Sequence, residues 1–347
     1  MRMRDWLFTG LVLMWGTLPA PAGEAAFADD GKTVYAIHDV TLDAGRDATL
    51  DATLDLIHVD TGEINSIKLP GMGDIDGICR AEDGAFYLVS ANTLWRWKPG
   101  NNPPVEVEKA KSGCAFKDVA CSDDQKQILI VGTKSNGKEA PATRLFYRAA
   151  PDRTFVTVWL RHLEDAIIRS PEFLPDGSLL FSAEGDLWHG ELSEEPTEYD
   201  NGTQAKPIGT LAAYRYAPLA ERYAYPGTPA EQGVRSIASG AGRIYVHVAR
   251  IGGSGWGHLS SLSTPEPGKE GRFTAHNQIE DALSALQSVR RLFENGGQAY
   301  LCASPDRSKV YMTGGAGPGR THYLVDKDDE NATPAAFRIG DKVLISK

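Results

Sequence analysis

One short pattern recurs along this chain, and repetition restricts the fold more than any other feature of the sequence. Each copy is an apolar strand, a turn containing Asp or Gly, and a second strand rich in Val, Ile, Leu, Tyr or Phe. The copies are Ala25–Tyr35, Ile78–Tyr87, Val119–Leu129, Phe173–Leu180, Ile237–Tyr245 and Leu301–Tyr311. Asp and Gly supply the unusual backbone angles that a hairpin needs, and the flanking β-branched and aromatic residues suit a pleated surface.

A third strand with an aromatic or aliphatic cluster follows each copy, at Leu56–Val59, Leu94–Trp97, Leu145–Tyr147, Leu187–His189, His258–Leu262 and Tyr323–Val325. Fainter fourth strands follow at Ile64–Leu69, Val105–Glu108, Phe155–Leu160, Pro207–Ala213, Arg272–His276 and Ala335–Ile339. Four strands per unit, spaced by roughly 40 to 65 residues, predict an all-β chain: a β-propeller of about six four-stranded blades. Seven blades stay open, because residues 194–235 are long and weakly patterned and a strand at Lys342–Ile345 could complete the first blade or the last. One segment breaks the pattern. Ile279, Leu283, Leu286, Val289 and Phe293 recur at helical spacing, Asn277 and Glu280 fit a capping box, and Gly296-Gly297 make a stop, so an inserted helix is expected near 278–294.

The chain starts Met1-Arg2-Met3-Arg4-Asp5, runs apolar from Trp6 to about Leu18, and continues Pro19-Ala20-Pro21-Ala22. A basic start, a short apolar core and an A-x-A site read as a signal peptide over residues 1–22, cut after Ala22. Roughly 13 apolar residues fall short of the ~20 needed to cross a bilayer. Residues 23–347 are therefore expected to form one periplasmic or secreted domain without a transmembrane segment. A net charge of −10 and a pI near 5.3 argue against nucleic acid, whose binding depends on basic patches.

No Gly-x-Ser-x-Gly, HExxH, paired CxxC or CxxCH motif is present, and the run Gly314–Gly319 lacks the Lys-Ser/Thr of a phosphate loop. The eight His are scattered, and His58, His189 and His247 read as packed or surface residues. Cys79, Cys121 and Cys302 occupy nearly equivalent places in three repeats, at the end of the first strand. Rotation about a propeller axis should keep equivalent positions apart, so these three are expected to be unpaired, packed thiols. A local Cys114–Cys121 bridge stays open.

The segments Ser304-Pro305-Asp306…Val310-Tyr311 and Leu174-Pro175-Asp176-Gly177-Ser178…Asp186-Leu187-Trp188 resemble the PD40 repeat of TolB-like six-bladed propellers. Asp76-Gly77-Ile78 with Asp83-Gly84-Ala85-Phe86-Tyr87-Leu88 is similar to NHL and SMP-30-type blades. The first resemblance implies an exported recognition or scaffold protein that binds a protein partner or a small molecule. The second implies a metal-dependent lactonase or esterase, holding a divalent cation such as calcium. That family places a metal ligand in an Asn-Gly pair, and neither Arg169–Leu174 nor Gly297–Tyr300 carries one here.

Propellers bind ligands where the segments entering the innermost strands converge. Those segments carry Asp74, Asp76, Lys117, Asp118, Glu164, Asp165, Arg169, Glu231, Gln232, Arg235 and Gln298. Asp74, Asp76, Asp118, Arg169, Glu231, Arg235 and Gln298 form the expected ligand-binding set, as loop residues at a channel mouth; no catalytic residue is assigned.

Overall fold

The computed structural model describes residues 25–37, 51–100, 103–111, 113–134, 142–160, 163, 166–196, 207–217, 233–249, 257–262, 300–314, 321–326 and 335–338. The signal segment, the helix expected near 278–294, and the strands expected at Arg272–His276 and Lys342–Ile345 lie outside them.

The described strands fall into six up-and-down units. The first holds β1 (Ala25–Phe27), β2 (Thr33–Ile37), β3 (Ala52–His58) and β4 (Ile64–Leu69); the second holds β5 (Gly77–Arg80), β6 (Phe86–Ser90), β7 (Thr93–Trp97) and β8 (Val105–Lys109). The third has β9 (Cys114–Cys121), β10 (Ile128–Lys134), β11 (Ala142–Arg148) and β12 (Val156–Leu160). The fourth has β13 (Ile168–Phe173), β14 (Leu179–Ala183), β15 (Asp186–Pro196) and β16 (Pro207–Ala217). The fifth shows β17 (Gly233–Gly240), β18 (Arg243–Ala249) and β19 (Gly257–Leu262); the sixth has β20 (Tyr300–Ala303), β21 (Lys309–Gly314), β22 (Thr321–Asp326) and β23 (Ala335–Arg338). Pairing inside each unit is antiparallel between consecutive strands. The third and fourth units merge into one eight-stranded sheet, because β12 pairs in parallel with β16 over Val158–Leu160 and Gly209–Leu211.

The first strands touch in cyclic order: β1 meets β5, β5 meets β9, β9 meets β13, β13 meets β17, β17 meets β20, and β20 returns to β1. Apolar clusters fill the wedges between units. Tyr35, Leu54 and Leu69 pack on Ile78, Phe86 and Trp97 between the first and second. Val131, Leu145 and Val158 pack on Ile168, Phe173 and Phe181 between the third and fourth. Phe27, Val34 and Ile57 meet Tyr300, Tyr311 and Leu324 where the last unit closes on the first. Both faces of a sheet are thus buried, which explains near-continuous apolar runs such as Phe86–Val89 and Leu179–Phe181.

The turns that carried the repeat share one hydrogen-bond scheme. Gly31, Gln125, Gly177 and Arg307 each donate their N–H to the carbonyl three residues before, at 2.8 to 3.1 Å, and each has positive φ. Asp30, Asp124, Asp176 and Asp306, one residue earlier, accept from the N–H two residues on. Glycine adopts this backbone freely, and two of the four turns hold Gln and Arg there instead.

The cysteines depart from the sequence expectation. Cys79 and Cys121 form a disulfide, with Cα atoms 5.9 Å apart, while Cys114 and Cys302 are free. Equivalent positions are related by rotation, but beside the axis that rotation moves a residue by about one strand spacing, well inside disulfide reach. Cys114, at the far end of β9 from Cys121, has no cysteine partner.

Alkylation of the native protein should therefore label Cys114, leave buried Cys302 unreacted until denaturant is added, and recover Cys79 and Cys121 as one linked peptide pair. Closing a loop of 42 residues is worth on the order of 2–4 kcal/mol, so reduction should lower the melting temperature by several degrees. Labelling of Cys79 without reductant would contradict the bridge.

Candidate functional site

An axial cavity of about 100 Å³ runs between the first strands. Its wall mixes apolar side chains, among them Phe27, Ile78, Val119, Ile237 and Leu301, with polar and charged ones, beside the Cys79–Cys121 bridge and Cys302. Ser122, Ser170, Ser236 and Ser304 line it, and Arg80, Asp123, Glu172 and Arg307 belong to the end where the first strands run into their turns. The two ends of this axis are built differently.

At the turn end, charges are paired. Arg307, in the turn after β20, reaches Asp123 in two hydrogen bonds of 2.7 Å, Glu172 at 3.1 Å and the Ser239 carbonyl at 2.7 Å, and it also donates to the Phe173 carbonyl. One side chain from the sixth unit thus grips the third, fourth and fifth. Arg80 donates to Asp29 at 3.3 Å and to the Asp123 carbonyl at 3.4 Å, and Gln125 donates to Asp29 at 3.3 Å, which brings in the first and second units. Burial alone would pull the Arg307 guanidinium down, but Glu172 and Asp123 outweigh it and hold its pKa above the ordinary arginine value. Burial pushes Glu172 up, and Arg307 with the Ser239 N–H pulls back towards the charged form. None of these residues was in the sequence-derived set. The available signal was the glycine position of the repeated turn: Gln125 and Arg307 replace it, and both cross the axis.

At the entry end, the first strands are irregular. Pairing slips in β9 between Phe116 and Asp118, in β13 between Arg169 and Glu172, and in β17 between Val234 and Ser236. Bulges at one end of three successive strands re-aim side chains and leave backbone groups unpaired, a device common beside binding sites. The residues set free are Lys117, then Ser170 with Pro171, then Arg235. Ser170 has φ of 51° and is buried.

The expected set is only partly assembled here. Asp74 is exposed, and Asp76 is half-buried with its Oδ1 3.2 Å from Lys117 Nζ. Burial raises Asp76, Lys117 pulls it back, and Asp74 adds repulsion. Arg169 lies on β13; burial lowers its pKa, and it makes no hydrogen bond or ion pair among the described residues. Glu164, Asp165, Glu231, Gln232 and Gln298 lie outside the described residues. So does the side chain of Arg235, whose backbone is on β17.

Asp118 corrects the sequence expectation. It is not in an exposed loop but within β9, 2% exposed, pressed against Gly77 so closely that a Cβ there would lie 3.0 Å from the Asp118 Cα. Its Oδ1 accepts the Val119 N–H at 2.8 Å, and its Oδ2 has no partner among the described residues. Burial pushes this carboxyl well above the usual range; the N–H groups of Val119 and Ser170 oppose that, and Asp76 reinforces it.

A divalent cation does not fit the described residues. No three His, Cys, Asp or Glu side chains converge among them, Asp76 is engaged by Lys117, and hard cations ask for six or more oxygens or a near-octahedral shell. His189, as expected, is a packing residue, bonded to Ser178 at 2.8 Å and Tyr214 at 2.9 Å.

No protein-family model matches the chain, and no curated protein matches it in sequence. Solved structures do. A luciferin-regenerating enzyme is 11% identical over 94% of this chain and 92% of its own, with a TM-score of 0.52. TolB from Acinetobacter baumannii is 11% identical over 91% of this chain and 65% of its own, with a TM-score of 0.51. A gluconolactonase from Xanthomonas campestris is 11% identical over 85% of this chain and 84% of its own, with a TM-score of 0.49. At such identities the likeness is one of fold. With the cyclic contact of first strands, the likeness to the first two gives this chain the β-propeller fold and leaves the activity to the site itself.

Two outcomes test this reading of the ends. An acid whose folded pKa is raised keeps its proton in the folded protein at pH values where the unfolded chain, near ~3.9, has lost it. Stability from Asp118 is therefore greatest below about pH 4 and falls as pH rises towards its folded pKa. Asp118→Asn should gain stability relative to wild type as pH increases above about 4, read as a difference of urea midpoints; a flat difference would mean Asp118 ionises freely. Arg307→Gly restores the residue favoured by the turn and should still destabilise the protein by roughly 2–4 kcal/mol, because it strands Glu172 and Asp123. An unchanged midpoint would make the turn-end network ornamental.

Proposed function

We propose that this chain is an exported, six-bladed propeller that recognises a small-molecule ligand or a protein partner at the entry end of its axis, as a binding or scaffold protein. The observation that carries this reading is the asymmetry of the axis. The turn end ties all six units together through Arg307, Arg80 and Gln125, while the entry end has three bulged first strands and, among the described residues, no partner for the Arg169 side chain or for Asp118 Oδ2. Rigid rings with irregular, polar rims are the usual seat of recognition. The cyclic contact of six first strands supports a count of six blades, and the N-terminal segment 1–22 supports export.

The mature product should begin at Gly23 by N-terminal sequencing; a product retaining Met1 would overturn export. Soaking crystals in concentrated periplasmic small-molecule extract should place ligand density against Asp76, Lys117 and Asp118. Replacing Asp76 and Lys117 together by Ala should weaken that binding at least tenfold with melting within a few degrees of wild type, since partly exposed changes cost little. Density confined to the turn end would overturn the assignment.

A further inference from the structure

Seven arginines among the described residues are half-buried, and six of them have a partner. Arg80 and Arg96 meet carboxylates, Arg144 a backbone carbonyl, Arg148 the hydroxyl and ring of Tyr87, and Arg307 the turn-end acids; Arg243 is engaged too. Arg169 is the exception. Burial alone acts on its guanidinium and lowers its pKa, with no charge or hydrogen bond among the described residues to offset it. A cation that gives up part of its water without gaining an acceptor destabilises the fold, so its place calls for an acceptor from outside the chain.

Arg169 pairs with Ser182 of β14, and cross-strand partners share a face of their sheet. Ser182 is two residues from Leu180, which packs with Val234 and Ile237 of the fifth unit. The Arg169 side chain is therefore on the face of the fourth unit that turns to the fifth, at the entry end. Both first strands that touch there are irregular: β13 loses its register directly after Arg169, where Ser170 takes φ of 51°, and β17 slips between Val234 and Ser236. The acids of this end leave Arg169 alone. Asp76 is taken by Lys117 at 3.2 Å, and Asp118, enclosed between the second and third units, is held towards its neutral form by burial.

We infer that the ligand bound at the entry end carries a carboxylate, and that the Arg169 guanidinium holds it at the junction of the fourth and fifth units. The inference rests on the reading that the entry end binds a ligand, and it adds the ligand's chemical class. A planar guanidinium presents paired N–H donors that match a carboxylate in two parallel hydrogen bonds. Phosphate fits the same fork, but its dianion meets more repulsion, because Asp74 and Asp76 stand at the same end and the chain carries a net charge of −10. The monoanion is favoured.

The test melts the mature protein and its Arg169→Gln variant at neutral pH in sodium propionate, propionamide or sodium phosphate, with sodium chloride holding the ionic strength equal. Without ligand, Arg169→Gln should melt no lower than wild type, because it removes a half-buried charge that has no partner; a loss of several degrees would give Arg169 a structural role and overturn the inference. Propionate should raise the wild-type melting temperature by about 2 °C or more beyond its effect on the variant, a difference in which general salt effects cancel. Propionamide, which lacks the charge, should show no such difference, and phosphate a smaller one. In wild type the Arg169 Nε–H resonance should shift with propionate and not with propionamide, which reads the contact without any variant. No difference with propionate, or an equal one with propionamide, overturns the inference, and an equal or larger one with phosphate overturns the carboxylate. Ligand density at the entry end away from Arg169 overturns the inference and leaves entry-end binding standing. Density at the turn end removes both.

Discussion

Closing a ring of sheets leaves one seam where the last unit must meet the first without a covalent connection, and everything on the axis depends on that seam holding. Many rings could solve this by lending a strand across it. Among the described residues the first unit takes its four strands from 25–69 and the sixth its four from 300–338, and the seam between them is packed by side chains. Phe27 meets the Tyr311 ring edge-on, with centroids 6.5 Å apart, inside a cluster that includes Val34, Ile57 and Leu324. Arg307 then ties the sixth unit across the axis to the third and fourth rather than to its neighbour at the seam. A clasp across the diameter resists opening at the seam and the collapse of the axis together, which apolar packing between neighbours alone does not.

That clasp explains a local conflict. An arginine at φ of 55° is strained relative to glycine. The strain persists because the turn lifts the Cα of Arg307 to the end of the first strand and lets a long side chain pass over the axis, where an arginine fork can meet two carboxylates and two carbonyls at once. Gln125, in the same place of the third unit, spans to Asp29 by the same geometry. The disulfide belongs to the same logic: Cys79 and Cys121 staple the second unit to the third beside the cavity, and the parallel pairing of β12 with β16 joins the third to the fourth at the outer edge. Three successive units are thus fastened by bonds that do not depend on wedge packing.

Much of this was legible in the sequence. The repeat pattern placed all five of the described fourth strands within a few residues, because Asp and Gly at the hairpin leave a mark independent of tertiary context and fix the phase of each unit. Val105–Lys109 and Ala335–Arg338 formed where faint patterning had placed them. What the sequence hid was distance from the axis. Whether equivalent cysteines pair depends on how near their strands approach, and Asp118 reads as a loop residue unless one knows that Gly77 lets the second unit close over it. Bulges carry no motif, so the freeing of Lys117, Ser170 and Arg235 could not be read either. The glycine replacements at Gln125 and Arg307 could have been: a repeat that breaks its own rule at a strained position is announcing a side chain with another task.

The two ends of the axis face the same electrostatic problem and answer it differently. Carboxylates crowded around a narrow channel repel one another and lose water, so each must be paired, protonated or left to a ligand. The turn end pairs them, with Arg307 and Arg80 drawn in from turns that can extend over the channel. The entry end has cations of its own in Lys117 and Arg169, yet the bulge in β9 turns Lys117 towards Asp76 and Arg169 acts on no carboxylate among the described residues. A ring that needed only stability could have met Asp118 with either side chain. Instead Gly77 closes over Asp118, and burial raises its pKa, so this acid is held towards the neutral form where the turn end holds its acids as charged partners of arginine.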